Sequence, residues 1–392
     1  MEPESFVNNR HIKNYKMKKV CTIITKLELG GAQKIALSLC KNLNKNRFET
    51  LLICGCGGIL DDEARQNTRV LFVKDLVREL RPVKDLKALF SIYKILKKEK
   101  PDIVHTHSSK AGILGRLAAK LAGTKCIIHA IHGFAFNDYQ NKIKKYFYIL
   151  LEKFCAKLSD ILIVECEQTK IKGLKYNIGT EKQYVKINLG VELNEFKNYS
   201  QGKLLRQELS MKEDEMLVST IGPFKPQKNL ADFIKIADIV IRKDKKIKFA
   251  VAGDGILRTD LENLIKDLHL EKYVYLLGWR RDIPNVLYSS DIFLMTSLWE
   301  GMPVVSINAL YCAVPMVANA VDGQIDLIND GVNGYLVKPL DVQTAAEKIL
   351  LLAKDADLRK RISSEAKKTI DFRFSTEEMI KKHEELYEKH QH

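Results

Sequence analysis

From Val20 to Ala318 the chain alternates short β-branched apolar runs with longer stretches of helical apolar spacing, and a turn-rich break divides the alternation into two sets. Strands joined through helices pair in parallel, so the pattern predicts doubly wound α/β sheets. In the first set, strands are expected at Val20–Thr25, Thr50–Cys54, Val70–Val73, Ile103–Thr106, Cys126–Ile131 and Ile161–Val164. Helices are expected from about Ala32 and over Lys84–Lys98, Ala111–Leu121 and Lys142–Lys157. The second set places strands at Leu217–Ile221, Ile247–Ala252, Val274–Leu277, Asp291–Met295 and Val314–Ala318, with helices at Leu230–Arg242, Leu257–Leu268 and Ile283–Ser289. Between them, Asn188-Leu-Gly-Val191 is turn-rich and Tyr199-Ser-Gln-Gly202 reads as a linker. A chain of 392 residues is long for one core and sufficient for two. Two such sheets facing each other enclose a cleft, and ligands of these folds bind at the carboxyl ends of strands. Residues 1–16 are polar and basic without periodicity and read as a flexible extension, so the first domain starts at Met17.

The formal charge of +15 is placed unevenly: residues 1–200 carry +16 and residues 201–392 carry −1. Within the basic half, Lys142, Lys144, Lys145, Lys153 and Lys157 interleave with Tyr146, Phe147, Tyr148, Ile149, Leu150 and Leu151. A basic, aromatic-rich amphipathic helix of this kind suits an anionic membrane surface, each Lys contributing about 1 kcal/mol. Nucleic acid is not the expected partner, since no helix-turn-helix, zinc-finger or RNA-recognition signature accompanies the charge. No run of eighteen apolar residues and no signal-peptide core is visible, which points to a cytoplasmic protein held peripherally on the inner face of the membrane. The eight cysteines are scattered without a CxxC pair and read as reduced core residues, and no metal site is expected.

The most informative local stretch is Thr296-Ser-Leu-Trp-Glu300-Gly-Met-Pro303-Val-Val-Ser-Ile-Asn308. It follows a strand and places a carboxylate in a glycine-containing turn. Pro303 suits the first helical position, and Asn308 follows about a turn and a half inside the helix. Unpaired N–H groups at such a helix start attract phosphate, while the adjacent carboxylate accepts hydrogen bonds from sugar hydroxyls.

This segment resembles the nucleotide-sugar site of the family 4 retaining glycosyltransferases. Their GT-B fold sets two Rossmann-like doubly wound domains across a central cleft. The resemblance runs from about Met17 to the C-terminus. It implies an acceptor-side domain over 17–199, a donor domain over 200–375, and a last helix at about 376–392 that crosses back to the first. The family carries two glutamates separated by seven residues; here the first is Glu300 and the second is replaced by Asn308. The resemblance assigns Glu300 to the donor sugar, Asn308 to the ribose, and Gly301, Met302, Pro303 and Val304 to the donor-binding turn. In Gly222-Pro-Phe-Lys225-Pro-Gln-Lys228, the family's phosphate-binding lysine falls on Lys228. Its arginine position is Pro223, leaving Lys225 as the second cation. Gly30 and Gly31 match the glycine loop that faces the donor, and Asp326 stands where the family has a glutamate. His132, in Ala130-Ile-His-Gly-Phe134, resembles the donor-side histidine. His105 and His107 are read as leaving opposite faces of a strand end, one structural and one, His107, on the acceptor side together with Lys110.

The expectation is therefore a metal-independent, retaining glycosyltransferase without a cofactor, using a nucleotide-diphosphate sugar as co-substrate. A UDP-sugar is favoured and a GDP-sugar possible, with transfer to a lipid-linked or membrane-proximal saccharide in surface polysaccharide assembly. The rival readings are a non-catalytic GT-B membrane-associated binding protein, kept open by Pro223 and Asn308, and a GT-B nucleotide-sugar epimerase, which needs extra acid/base carboxylates that the sequence does not mark. A dinucleotide-dependent oxidoreductase is disfavoured because neither half shows G-x-G-x-x-G after its first strand.

Overall fold

A computed structural model describes residues 17–389 apart from 29, 198 and 200–203. The proposed extension over 1–16 and most of the linker at 199–202 lie outside the described residues. The first unit opens with β1 (Lys18–Ile23), α1 (Gly31–Asn42), β2 (Phe48–Cys54), α2 (Asp61–Asn67) and β3 (Arg69–Phe72). It continues through α3 (Pro82–Glu99), β4 (Ile103–His107), α4 (Ser109–Ala122), β5 (Cys126–Ile131) and α5 (Lys142–Ala156). It closes with β6 (Ile161–Val164), α6 (Glu167–Lys175) and β7 (Tyr184–Lys186). These strands form a parallel seven-stranded sheet in the order β3-β2-β1-β4-β5-β6-β7.

Two short helices, α7 (Asn194–Lys197) and α8 (Leu204–Glu208), lead to the second unit. It comprises β8 (Met216–Ile221), α9 (Leu230–Lys243), β9 (Ile247–Ala252), α10 (Arg258–Asp267), β10 (Val274–Leu276) and α11 (Ile283–Ser289). Then follow β11 (Ile292–Met295), α12 (Val304–Tyr311), β12 (Met316–Asn319), α13 (Gly323–Leu327), β13 (Gly334–Val337), α14 (Val342–Lys354) and α15 (Ala356–Thr369). The second sheet is parallel and six-stranded, in the order β10-β9-β8-β11-β12-β13.

Strand order reverses between β1 and β4 in one sheet and between β8 and β11 in the other. At such a reversal the loops diverge to opposite faces and leave a crevice at the carboxyl ends. The loops after these four strands carry the Gly30–Gly31 turn, Ser108, the Gly222–Lys228 stretch and the Glu300 turn.

The last helix, α16 (Thr376–Lys389), packs on the first domain. Tyr387 is fully buried, its hydroxyl lies 2.7 Å from His105 Nδ1, and its ring meets Phe48 edge-on at 5.9 Å. Lys18 donates to the Tyr387 carbonyl at 2.6 Å, and Arg47 pairs with Glu384 at 3.2 Å. One apolar cluster runs from Ile128 and Ile163 of the first sheet through Met302 and Ile307 to Leu386. Burying each such side chain contributes about 1.5–3 kcal/mol, so the two domains share part of their stabilisation.

A polar contact adds to this. The helix α6 has no capping side chain of its own, and Asp326, from α13 of the other domain, accepts from the N–H groups of Glu167 and Gln168. A carboxylate there satisfies orphan donors and complements the helix dipole. Lys186 lies 3.4 Å from Asp326, and Lys172 lies 3.5 Å from Asp322. Both pairs join the first domain to the second.

Candidate active site

The Glu300 turn is fixed from behind. Asn319 is buried at the end of β12, and its side-chain amide donates to the carbonyls of Thr296 and Ser297 at 2.9 and 3.2 Å. Thr296 donates its hydroxyl to the Lys228 carbonyl, and Leu298 N–H donates to the Gln227 carbonyl, both at 2.9 Å. The two loops of the second crevice are therefore one unit. Across their junction, Lys228 Nζ lies 2.6 Å from Glu300 Oε1, and Gln227 Nε2 lies 3.3 Å from Glu300 Oε2. Gly222 makes room for this, since a Cβ there would stand 3.0 Å from Lys228 Cε. Lys225 is exposed at the start of the 3-10 turn Pro226–Lys228.

The helix α12 begins at Val304, with Pro303 at the N-cap, one position earlier than its spacing suggested. Neither Pro303 nor Gly30, the N-cap of α1, supplies a capping side chain. The two helix starts meet across the cleft, where a Cβ on Gly31 would lie 3.6 Å from Val304 Cγ2. Each uncapped terminus carries roughly half a positive charge, so their proximity is repulsive until an anion joins them. Asn308 is buried in α12, and its Oδ1 has no hydrogen-bond partner among the described residues. An unmet buried acceptor costs about 1–3 kcal/mol.

Gly301 abuts the His132 carbonyl so closely that a Cβ would not fit, which brings His132 to the Glu300 turn through its backbone. Its imidazole points inward: Nδ1 lies 2.7 Å from Glu165 Oε1, and Nε2 lies 2.9 Å from His107 Nδ1. With both ring nitrogens engaged, His132 presents its carbonyl to the turn. The structure also corrects the reading of its neighbours. Residues two apart in a strand share a face, and the His105 and His107 rings lie together at 4.2 Å. His107 is fully buried, and its Nδ1 holds the His132 ring. Lys110, at the start of α4, pairs with Asp85 at 2.6 Å.

Residues 29–194 match the family described as Glycosyltransferase Family 4, and residues 202–369 match the family described as Glycosyl transferases group 1. The Escherichia coli UDP-Gal:alpha-D-GlcNAc-diphosphoundecaprenol alpha-1,3-galactosyltransferase is 37% identical over 331 residues, covering 83% of this chain and 86% of that one. The chain is a family 4 glycosyltransferase. A Campylobacter jejuni GalNAc-alpha-(1->4)-GalNAc-alpha-(1->3)-diNAcBac-PP-undecaprenol alpha-1,4-N-acetyl-D-galactosaminyltransferase is 27% identical over 368 residues, spanning 92% of this glycosyltransferase and 96% of its relative. Anabaena HepE, solved with UDP and glucose, superposes with a TM-score of 0.81 at 20% identity, over 95% of this chain and all of that one. WaaG, a glycosyltransferase involved in lipopolysaccharide biosynthesis, superposes at 0.73 over 92% and 98%. The fold is GT-B.

Three residues that touch the candidate residues of this glycosyltransferase were not singled out by the sequence. Asp322 accepts from Glu300 N–H at 2.9 Å with φ at +36°, a conformation an Asp-Gly turn signals only loosely. Gln227 steadies Glu300 and Trp299, donating to the Trp299 carbonyl at 2.9 Å. Glu165 directly follows β6, and a lone carboxylate at the carboxyl end of a central strand is the signal that would have found it.

Burial holds His105, His107 and His129 well below the ordinary imidazole value and takes His383 down to about 4. The unfolded chain takes up protons below about pH 6.5 while the folded chain does not. The stabilisation is therefore complete above that pH and is lost as pH falls toward 4. His383 alone accounts for about 3 kcal/mol. Glu99, hydrogen-bonded by Arg69 and Lys19 and held at about 2, adds its own loss only below about pH 4.5. Urea unfolding midpoints should accordingly fall by several tenths of a molar or more between pH 7 and pH 4.8. A flat profile over that range would sink this account.

Proposed function

We propose that the enzyme is a metal-independent, retaining hexosyltransferase that moves a sugar from a UDP-sugar to a diphosphoundecaprenol-linked saccharide. The observation that carries the donor half is the meeting of two uncapped helix starts beside Lys228, Glu300 and an unpartnered Asn308 oxygen. In this reading the diphosphate lies between the starts of α1 and α12, and Lys228 turns toward it. A positioned cation there stabilises charge that grows on the leaving diphosphate as the glycosidic bond breaks. Glu300, released from Lys228, accepts from the donor sugar's hydroxyls, and Asn308 accepts from a ribose hydroxyl. The acceptor hydroxyl attacks from the face the diphosphate leaves, and the departing phosphate takes its proton. Lys225 supplies the second cation, and the Gly301–Val304 turn lies against the donor. His132, its ring held by Glu165 and His107, sets the floor under the sugar. The diphosphoundecaprenol named for the Escherichia coli and Campylobacter jejuni relatives supports the acceptor class.

The test is transfer from UDP-galactose to a synthetic lipid-diphosphate GlcNAc in excess EDTA, with the product's anomeric configuration read by NMR. Transfer with an α-linked product is expected. Glu300→Gln and Lys228→Ala should each lower kcat/KM by about 10²-fold or more. Turnover that requires a metal, or a β-linked product, would contradict the mechanism. Undiminished activity in both variants would remove Glu300 and Lys228 from it.

Asn308→Leu carries a signature of opposite signs. Replacing an unmet buried acceptor by an apolar near-isostere should leave the melting temperature of the ligand-free enzyme unchanged or higher. It should weaken UDP by about 3–10-fold, because one hydrogen bond to a ribose hydroxyl is gone. Calorimetry that finds unchanged UDP affinity would remove Asn308 from the site.

The enzyme also rests on an anionic membrane on its cytoplasmic side, in this proposal. Along α5, Ile143, Tyr146, Phe147, Leu150 and Phe154 form an exposed apolar stripe, between 51% and 81% accessible, beside the exposed Lys142, Lys144 and Lys157. No described helix is long and apolar enough to cross a membrane. Ile143→Glu with Phe154→Glu should therefore reduce flotation with phosphatidylglycerol vesicles by about tenfold or more. Equal flotation of wild type and variant would place the membrane contact elsewhere.

A further inference from the structure

The Glu300 carboxylate is gripped from its own domain, by Lys228 and Gln227. In the proposed donor complex Lys228 turns away to the diphosphate, so the carboxylate then keeps its place mainly through the turn that bears it. Three consecutive residues of that turn are met by the first domain. Gly301 abuts the His132 carbonyl. The Trp299 ring stacks on Tyr139, with centroids 6.0 Å apart and planes at 29°. Between them, Glu300 N–H donates to Asp322 Oδ2 at 2.9 Å, and Asp322 Oδ1 lies 3.5 Å from Lys172 Nζ, on α6.

Both ends of the Lys172–Asp322 link are set by their surroundings. Asp322 has φ at +36°, a conformation that residues with a Cβ adopt rarely and keep only where neighbours hold it. The next N–H, of Gly323, donates to the Gly301 carbonyl at 3.0 Å and ties the same corner to the turn a second time. Lys172 Nζ stands 5.7 Å from the ring of Phe136, which is buried against Phe134 and Tyr176. Phe136 and Tyr139 belong to the loop that follows β5, as His132 does. One loop of the first domain, with α6 behind it, thus supplies all three contacts.

Fastening the domains does not require this route, because Asp326 already joins α13 to the start of α6 and to Lys186. What the Asp322 and Trp299 contacts add is a connection to the residue that bears the carboxylate and to the residue before it. We propose that Lys172 and Tyr139 are positioning residues for the donor sugar: from the first domain they set the Glu300 turn, so that its carboxylate meets the sugar's hydroxyls only with the domains docked. This role rests on the one proposed for Glu300 and extends it to the other domain. The nucleotide alone makes no such demand, since in that reading it reaches Asn308, Lys228 and the helix starts rather than Glu300.

The test is calorimetric binding of UDP and of one sugar nucleotide to the full chain. The sugar nucleotide is whichever of UDP-galactose, UDP-glucose and their N-acetylated forms the wild type binds best. The proteins are wild type, Lys172→Met with Tyr139→Ala, Glu300→Gln, and all three changes combined. Lys172→Met with Tyr139→Ala should weaken the sugar nucleotide by about fivefold or more and UDP by less than about twofold. In the Glu300→Gln background the same two changes should weaken the sugar nucleotide no further, because they act through a carboxylate that is gone. Lys172→Met alone should show the same preference at about twofold, and Lys172→Arg should match wild type. Tyr139 is 46% exposed and the Lys172 side chain 24%, so melting temperatures should stay close to wild type. Equal weakening of UDP and the sugar nucleotide would make the two residues interface contacts only and overturn the proposal. An undiminished effect in the Glu300→Gln background would overturn it too. If Glu300→Gln weakens the sugar nucleotide while the Lys172 and Tyr139 changes do not, this role is refuted and the donor reading stands. If Glu300→Gln has no effect, or the wild type binds none of these sugar nucleotides, the donor reading is refuted instead and this role falls with it.

Discussion

Two helix N-termini that no side chain caps, one from each domain, stand against each other at Gly31 and Val304. Each presents unmet N–H groups and a positive dipole end, so bringing them together is unfavourable in the absence of an anion. The rest of the molecule supplies the stabilisation that holds them there. The shared apolar cluster, the Asp326 cap on α6 and the return of α16 to the first domain all act across the interface. Gly301 allows a close backbone approach between the domains, because a Cβ there would run into the His132 carbonyl.

The Lys228–Glu300 pair acts within this frame. A largely buried ion pair offsets its own desolvation only while both partners remain, and removing one leaves an uncompensated charge that costs about 3–5 kcal/mol. Each therefore holds the other in place at the junction of the two loops. In the proposed donor complex a diphosphate offers Lys228 a second anion and sugar hydroxyls offer Glu300 new donors, so binding would exchange partners without exposing either charge.

Much of this was legible in the sequence, and the parts that were not have physical reasons. The doubly wound sheets followed from the spacing of apolar runs, and the Glu300 turn followed from a carboxylate, a glycine and a proline placed between a strand and a helix. What escaped were interactions set by tertiary geometry. Glu165 lies beside His132 only because β5 and β6 are neighbours in the sheet. Asp322 reaches Glu300 N–H only through a positive φ that few non-glycine residues adopt. The histidines were misjudged for a simpler reason, since a period of two puts His105 and His107 on one face. β7, three residues long, is too short to show a period of its own.

The two departures from the family pattern are better understood together than singly. In the proposed donor site, Pro223 stands in place of a cation on the phosphate side and Asn308 in place of an anion on the ribose side. Losing the cation alone would leave a second carboxylate facing the diphosphate with no arginine to offset the repulsion. Losing both keeps the summed charge of these two positions at the value that the family pattern has. In this reading donor affinity depends less on charged side chains and more on the two helix starts, whose N–H groups are fixed by the backbone and lose no side-chain entropy on binding. Such a site requires the domains to close accurately, and the enzyme meets that requirement with glycines at the contact and a carboxylate from one domain capping a helix of the other.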